Sequence, residues 1–327
     1  MRPVDEPQTP RPGRRLGAWA AGLLLAVSAV VTGCRLLDTD AITPVPQLLS
    51  FLPWLTVPAG LAVLLAAYAR RRALALAAVV VLAATLWTLQ PYGPDATTAR
   101  GPVTARVRVL SANVEFGGAT RALIAAIRRE RPQLVYVSEC DRACGRAVTG
   151  AFTAELPHHV SVDADGSLGS VLLSAAPLRD EHTVPAAMGM PGATAAIGGR
   201  AVRVQLAHPL PPLPGRVDLW KRELGTVRDV AARDAAGPLI LAGDFNASQD
   251  HAAFRAVLDA GRLHDAARLD GAARTPTWPV EGPLPPYVQI DHVLVSDDFT
   301  VRDVRFLRLA GTDHRAVLAD LDLHTGR

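Results

Sequence analysis

Leu239-Ile240-Leu241-Ala242-Gly243-Asp244-Phe245-Asn246 is the stretch on which the organisation of this 327-residue chain turns. Four apolar residues make a buried-strand run, Gly243 ends it, and a carboxylate and a carboxamide follow two residues apart. Side chains alternate along an extended segment, so Asp244 and Asn246 are expected on one side and Phe245 in the core. An Asp and an Asn at a strand end can position a water and hold a phosphoryl oxygen. They can equally cap backbone groups in a turn. The rest of the chain decides between these readings, because the same device recurs at other strand ends.

Working outward, Val107-Arg108-Val109-Leu110-Ser111-Ala112-Asn113 alternates and finishes on Asn, and residues 121–129 have helical spacing. Leu134-Val135-Tyr136-Val137-Ser138-Glu139 is an apolar strand that finishes on a carboxylate. Further β-like runs occupy residues 170–174, 194–197 and 202–208, the last ending on His208. Residues 217–235 place Leu219, Trp220, Leu224, Val227 and Ala231 on one helical face, and a short helix is expected near 252–260. A strand pattern over 288–295 carries Asp291 and His292; Asp313-His314 stands just before the last of the final strands, 301–307 and 316–321. Strands interspersed with helices predict a layered α/β fold. Taken singly, Asn113, Glu139, His208, Asp244, Asn246, Asp291, His292, Asp313 and His314 are turn formers, solvated acids or satisfied core histidines. Their recurrence at strand ends of one domain points to one site.

The order Leu110-Ser111-Ala112-Asn113, Glu139, His208, Gly243-Asp244-Phe245-Asn246, Ile290-Asp291-His292, Thr312-Asp313-His314 resembles the endonuclease/exonuclease/phosphatase superfamily over residues 106–323. The resemblance implies a four-layered α/β sandwich of the DNase I type and phosphoester hydrolysis. Such hydrolysis needs charge neutralisation at phosphorus, an activated water and help for the leaving oxygen. Carboxylate and carboxamide oxygens suit a hard cation, Mg²⁺ or alternatively Mn²⁺. Glu139, Asn113 and Asp313 are the expected metal ligands. By analogy with the family, His314 oriented by Asp291 is the base. Asp244 aligns the water, Asn246 and Asn113 bind phosphate oxygens, and His208 stabilises the phosphoryl group or assists the leaving group; His292 is read as structural. The chain departs from many relatives in carrying Ser138, not Gln, before Glu139. It also follows His208 with Pro209-Leu210-Pro211-Pro212-Leu213-Pro214, an apolar segment that suits either a lipid-bearing substrate or a rigid turn.

The amino-terminal third is of another kind. No charge interrupts residues 16–34, 41–69 or 73–94, and each tract supplies the roughly 20 apolar residues of a spanning helix. Three transmembrane helices are expected at about 16–36, 48–69 and 73–91, with a linker over 95–104 and an extracytoplasmic domain over 105–327. Arg11, Arg14 and Arg15 precede the first tract and Arg70, Arg71 and Arg72 join the last two, whereas Asp38 and Asp40 lie in the other connection. Basic flanks stay cytoplasmic, which places the following domain outside. This layout resembles actinobacterial membrane phosphatases associated with glycopeptide-antibiotic resistance, the VanJ-like group. That resemblance implies a bilayer partner and a lipid-linked phosphate or diphosphate substrate, for instance an isoprenoid diphosphate of cell-wall synthesis. A phospholipid or sphingomyelin phosphodiesterase, an anchored nuclease and an inactive envelope scaffold are the alternatives.

Val31-Thr32-Gly33-Cys34 also has the form of a lipoprotein cleavage box, against the simpler reading of a small-residue helix end. The net charge of +3 comes almost wholly from Arg, Lys221 being the one lysine. With only 5% aromatics and no basic stripe interleaved with them, a nucleic-acid partner is not expected. Cys140 and Cys144 suit a local disulfide outside the membrane, against the alternative of two free thiols.

Overall fold

A computed structural model of the chain describes residues 12–99, 101–281 and 287–325. It falls into two compact units, Met1–Gln90 and Pro91–Arg327. Arg11, counted above in the basic flank, lies outside the described residues.

The first unit contains α1 (Pro12–Leu36), α2 (Val45–Leu49), a 3₁₀ turn (Leu52–Leu55), α3 (Thr56–Tyr68) and α4 (Arg72–Thr88). The expectation of three spanning helices is corrected here. Among the described residues one helix, α1, is long and apolar enough to cross a membrane; Leu52–Tyr68 and Arg72–Thr88 are shorter apolar helices. At 1.5 Å per residue, a helix of about 17 residues covers roughly 25 Å of a hydrocarbon layer about 30 Å thick. The discrepancy arises because an uncharged tract is not the same thing as a helix. Pro44, Pro46 and Pro53 each lack the N–H an interior helical position needs, and they cut the second tract into pieces.

These helices bury small residues: Gly17, Ala21, Ser28 and Thr32 of α1, Ala59, Ala62 and Ala66 of α3, Ala78 and Thr85 of α4. Thr32 and Thr85 share a hydroxyl–hydroxyl hydrogen bond of 2.8 Å. Leu16, Trp19, Leu23, Leu64, Leu76 and Trp87 are exposed. Small and hydroxyl residues between helices, with large apolar ones outside, is the packing suited to an apolar solvent. Residues 31–34 lie within α1, which continues to Leu36.

Among its described residues the second unit is built on twelve strands: β1 (Val103–Asn113), β2 (Leu134–Ser138), β3 (His158–Val162), β4 (Ser170–Ser174), β5 (Leu178–Thr183), β6 (Pro191–Ile197), β7 (Arg200–Ala207), β8 (Leu239–Asp244), β9 (His264–Asp265), β10 (Asp291–Val295), β11 (Phe299–Arg308) and β12 (Arg315–His324). They form two mixed six-stranded sheets, β11-β12-β1-β2-β4-β3 and β5-β6-β7-β8-β10-β9. Alternate residues of the central strands face opposite ways, and both directions are apolar because both sheet faces are covered. Val109, Tyr136, Leu172, Val204, Ile240, Ala242 and Val293 pack between the sheets. On the outer side of the first sheet, Leu110, Val135 and Val137 meet Leu123 and Ile127 of α5 (Thr120–Glu130) and Val148 of α6 (Arg142–Ala151). On the outer side of the second, Leu241 and Phe245 meet Trp220 and Leu224 of α7 (Val217–Asp234) and Phe254 of α8 (Ala252–Gly261). The result is the expected four-layered α/β sandwich.

The elements not legible in the sequence include β3, β5 and α6. The two strands are sheet edges with one hydrogen-bonded neighbour each, and β5 is mostly exposed, so neither needs an apolar alternation. The helix carries two glycines, Gly145 and Gly150, which lower helix propensity. The strand expected from 288 begins only at Asp291, residue 288 forming a lone bridge to Trp278.

The registers set the site level across both sheets. Asn113 stands beside Ser138, Ala207 beside Gly243, and Asp244 opposite Asp291. Gly243 holds a positive φ of 151°, and a Cβ there would run into the Ala207 carbonyl. Gly243→Ala is therefore expected to destabilise the protein by about 3 kcal/mol or more. A denaturation midpoint equal to wild type would show that the two backbones do not need this close approach.

Candidate active site

Asn113 closes β1, Glu139 follows β2, His208 follows β7 and Asp244 closes β8. The antiparallel β10 opens with Asp291, and His314 immediately precedes the antiparallel β12. Strand direction thus delivers all six to one edge of the sandwich. Asn113 Nδ2 donates to Glu139 Oε1 at 3.1 Å and to Asp244 Oδ2 at 3.0 Å, bridging the two sheets. Its Oδ1 accepts the Glu115 N–H at 3.0 Å. His314 Nδ1 lies 2.9 Å from Asp291 Oδ2, and its Nε2 lies 3.8 Å from Asp244 Oδ2 and 3.6 Å from Asp313 Oδ1. His208 Nε2 lies 3.8 Å from Glu139 Oε1. The structure thus brings His314 and Asp291 together.

Two expectations change. Asn246 has a left-handed φ of 46°, so alternation ends at Asp244, whose Oδ1 accepts the Asn246 backbone N–H at 2.8 Å. Asn246 Nδ2 donates to the Pro209 carbonyl at 3.0 Å. Asn246 therefore secures the segment after His208, and one of its two amide hydrogens is already committed. Of the expected ligands, Glu139 and Asn113 are joined directly, whereas Asp313 turns Oδ1 toward His314 Nε2 and its Oδ2 accepts from Trp278 Nε1 at 2.7 Å. His292 is structural: Asp265 and the Ala247 carbonyl take its two nitrogens, at 2.8 and 3.1 Å, and its ring packs on Phe254.

Glu115, Thr312 and Trp278 complete the frame; of the three only Thr312 stands in the sequence motifs, with no role assigned there. Glu115 Oε2 accepts the Asp313 N–H at 2.9 Å. Thr312 Oγ1 donates to the Asn113 carbonyl at 3.0 Å and accepts the His314 N–H at 3.1 Å. Their spacing from Asn113 and His314 marks the first two as neighbours; nothing marks Trp278, which arrives from a distant loop.

Electrostatics follow from burial of like charges. Burial and the facing Asp291 push Asp244 up, against the pull of His314 and hydrogen bonds from Asn246 and Asn113. Burial also raises Glu139, opposed by the Asn113 hydrogen bond. Burial alone would lower His314, but Asp291, Asp244 and Asp313 outweigh it and push the imidazole up to about 10. His208 is fully buried, and neither ring nitrogen has a hydrogen-bond partner among the described residues. Burial, then the charge on His314, lowers it to about 3.

A folded-state histidine pKa below the unfolded value stabilises the protein above about 6.5, and that contribution is lost as pH falls toward 3. His208→Gln should flatten this acid limb, which develops to several kcal/mol. Denaturant midpoints measured between pH 7 and pH 4 check it; parallel curves for the two proteins would contradict a buried neutral His208.

The donor set fits a hard divalent cation. Oxygen atoms of Asp244 and Asp291 lie within 4.8 Å of each other and of a His314 nitrogen. Asp291 Oδ1 is buried with no hydrogen-bond partner among the described residues. An unpaired carboxylate oxygen in a dry acidic cluster is costly without a counter-charge. Beside Glu139, Cys140 and Cys144 form the expected disulfide.

The sequence profile described as the Endonuclease/Exonuclease/phosphatase family matches residues 110–314. The chain belongs to the endonuclease/exonuclease/phosphatase family. Family members are metal-dependent phosphoester hydrolases, and the matched span runs from β1 to His314. No curated protein sequence matches the chain. Among solved structures, a humanized D. rerio TDP2 is similar with a TM-score of 0.54 at 13% identity, covering 66% of this chain and 99% of the other. An endonuclease/exonuclease/phosphatase from Beutenbergia cavernae aligns at 0.53 and 21%, covering 68% and 72%. A Neisseria 3′ phosphatase, NExo, bound to a product DNA hairpin, aligns at 0.52 and 20%, covering 66% and 99%. At these identities the likeness is one of fold.

Proposed function

We propose that this family member is a membrane-anchored, extracytoplasmic, Mg²⁺-dependent phosphohydrolase acting on a lipid-linked phosphate or diphosphate. An isoprenoid diphosphate of cell-wall synthesis is the specific substrate we favour, in keeping with the likeness to the VanJ-like group. The hydrolytic reading is carried by one observation: Asn113 joins Glu139 and Asp244 across two sheets, beside the Asp291–His314 pair.

In this reading Glu139, with the Asp244–Asp291 oxygens and Asp313 nearby, would hold the cation, which would supply charge neutralisation at the phosphoryl group. Asp244 aligns the attacking water and Asp291 orients His314 as the base. Asn113 keeps Glu139 and Asp244 in register, its carbonyl oxygen already engaged by Glu115. His208, whose ring nitrogens have no hydrogen-bond partner among the described residues, donates to a phosphoryl oxygen. Asn246 holds the Pro209 segment and offers its remaining N–H.

The lipid reading draws support from apolar side chains around the site. Phe116 and Leu213 are exposed on the loops that follow Asn113 and His208. Leu168, also exposed, precedes Gly169, whose carbonyl accepts the Cys140 N–H beside Glu139. Large apolar side chains left in water commonly mark binding surfaces. The outward apolar faces of the amino-terminal helices support anchoring through α1. The disulfide suits an oxidising compartment outside the cytoplasm.

Purified full-length protein in detergent, assayed with Mg²⁺ or EDTA on an isoprenoid diphosphate, a phospholipid, sphingomyelin and DNA, tests the proposal. Mg²⁺-dependent phosphate release from the isoprenoid diphosphate alone is the expected result. Headgroup release or DNA cleavage would keep the site and discard the lipid-diphosphate substrate. Inactivity on every substrate would favour an envelope scaffold.

A further inference from the structure

We infer that the Cys140–Cys144 disulfide is a positioning clamp for the Glu139 carboxylate, setting the affinity of the site for its divalent cation. This inference rests on reading Glu139 as a cation ligand. Glu139 has a left-handed φ of 55°, a conformation that a non-glycine residue keeps only when its surroundings impose it. On its amino side the chain is held by β2, where Ser138 pairs with Ser170. On its carboxyl side Cys140 is 3% exposed and donates its N–H to the Gly169 carbonyl at 3.0 Å. The bridge then fastens Cys140 to Cys144 in the first turn of α6. That turn is itself fixed, because Asp141 accepts the Cys144 N–H at 2.8 Å.

The clamp also reaches the other groups that hold the carboxylate. Glu139 accepts hydrogen bonds from Asn113 Nδ2 and from the backbone N–H of Phe116. The loop of Phe116 rests on the same turn: a Cβ at Gly117 would sit 3.0 Å from Asp141 Oδ1 and 3.5 Å from Cys144 Cβ. A bridge between residues four apart closes a very short loop, so it restricts the unfolded chain less than a long-range bridge does. What it restricts most is the local path of residues 139–144. Without it, the Glu139–Cys140 peptide is free to leave the left-handed region and carry the carboxylate away from Asn113.

The test is calorimetric titration of Mg²⁺ into full-length wild type and C140S/C144S in detergent, with phosphate release measured over a range of Mg²⁺. The variant should bind Mg²⁺ about tenfold more weakly, and its lost activity should return at saturating Mg²⁺. Val148→Ala, which loosens the packing of α6 and keeps both the bridge and the Asp141 cap, should lower the melting temperature with Mg²⁺ affinity close to wild type. Unchanged affinity in C140S/C144S, or an equal loss in Val148→Ala, would overturn the clamp. Should the double variant not fold, wild type reduced by dithiothreitol gives the same comparison. Two protein thiols form as the reagent closes to its own disulfide, and thiol titration confirms the reaction. Wild type that binds no Mg²⁺ would instead overturn the reading of Glu139, and the clamp with it.

Discussion

Glu139→Gln should abolish metal-dependent hydrolysis, lowering kcat/KM by about 10³-fold or more while the protein stays folded. Gln has nearly the same volume and keeps an oxygen for the Asn113 amide, so the hydrogen bond at 3.1 Å has a counterpart in the variant. What is lost is the negative charge, in a site where burial already works against a carboxylate. A cation held by fewer charges binds more weakly, and its several kcal/mol of transition-state stabilisation convert to roughly the rate loss given above. Circular dichroism, Mg²⁺ titration and phosphate release measured on the same preparation check each part. A variant with wild-type activity and wild-type Mg²⁺ affinity would remove Glu139 from the ligand set.

The second large effect is expected at His314. His314→Ala should cost between about 10²- and 10⁴-fold in kcat, the range for removing a proton-transferring side chain. The imidazole touches three carboxylates and its orientation comes from Asp291 at 2.9 Å. Burial would lower its pKa and the carboxylates raise it, so the two influences can be separated by mutation. Asp291→Asn weakens the upward pull, and the pH limb that belongs to His314 should move to lower pH. Rates measured from pH 5 to 10 in both variants distinguish a proton-transferring His314 from a purely structural one. A His314→Ala enzyme with an unaltered rate and pH profile would reject the assignment.

Much of this protein is written locally. The runs at residues 107–113, 134–138 and 239–244 are apolar and β-branched enough to be strands wherever they sit, and each delivers its polar residue at a strand end. The order of Asn113, Glu139, His208, Asp244, Asp291 and His314 is therefore legible in the linear chain, and with it the α/β class and the family. Composition also reveals that the first ninety residues differ from the rest, because apolar content is additive along a chain.

Other properties depend on distances between segments far apart in sequence, and these only tertiary structure decides. Asn113 meets Asp244 because β1 and β8 end together on facing sheets, an outcome of register and packing. Trp278 reaches Asp313 from a loop with no motif of its own. Nor does charge follow from residue type. His208 and His314 have the same side chain, yet one is held to about 3 by burial and the other raised to about 10 by three acids. Hydropathy summed over a window is blind to where prolines interrupt a helix, as in the second tract, and to where a helix ends, so one helix of spanning length stands where three were expected. Sequence determined which polar groups stand at these strand ends. Their mutual distances, their protonation and the lengths of the amino-terminal helices were decided by folding, because each depends on neighbours that the linear order does not specify.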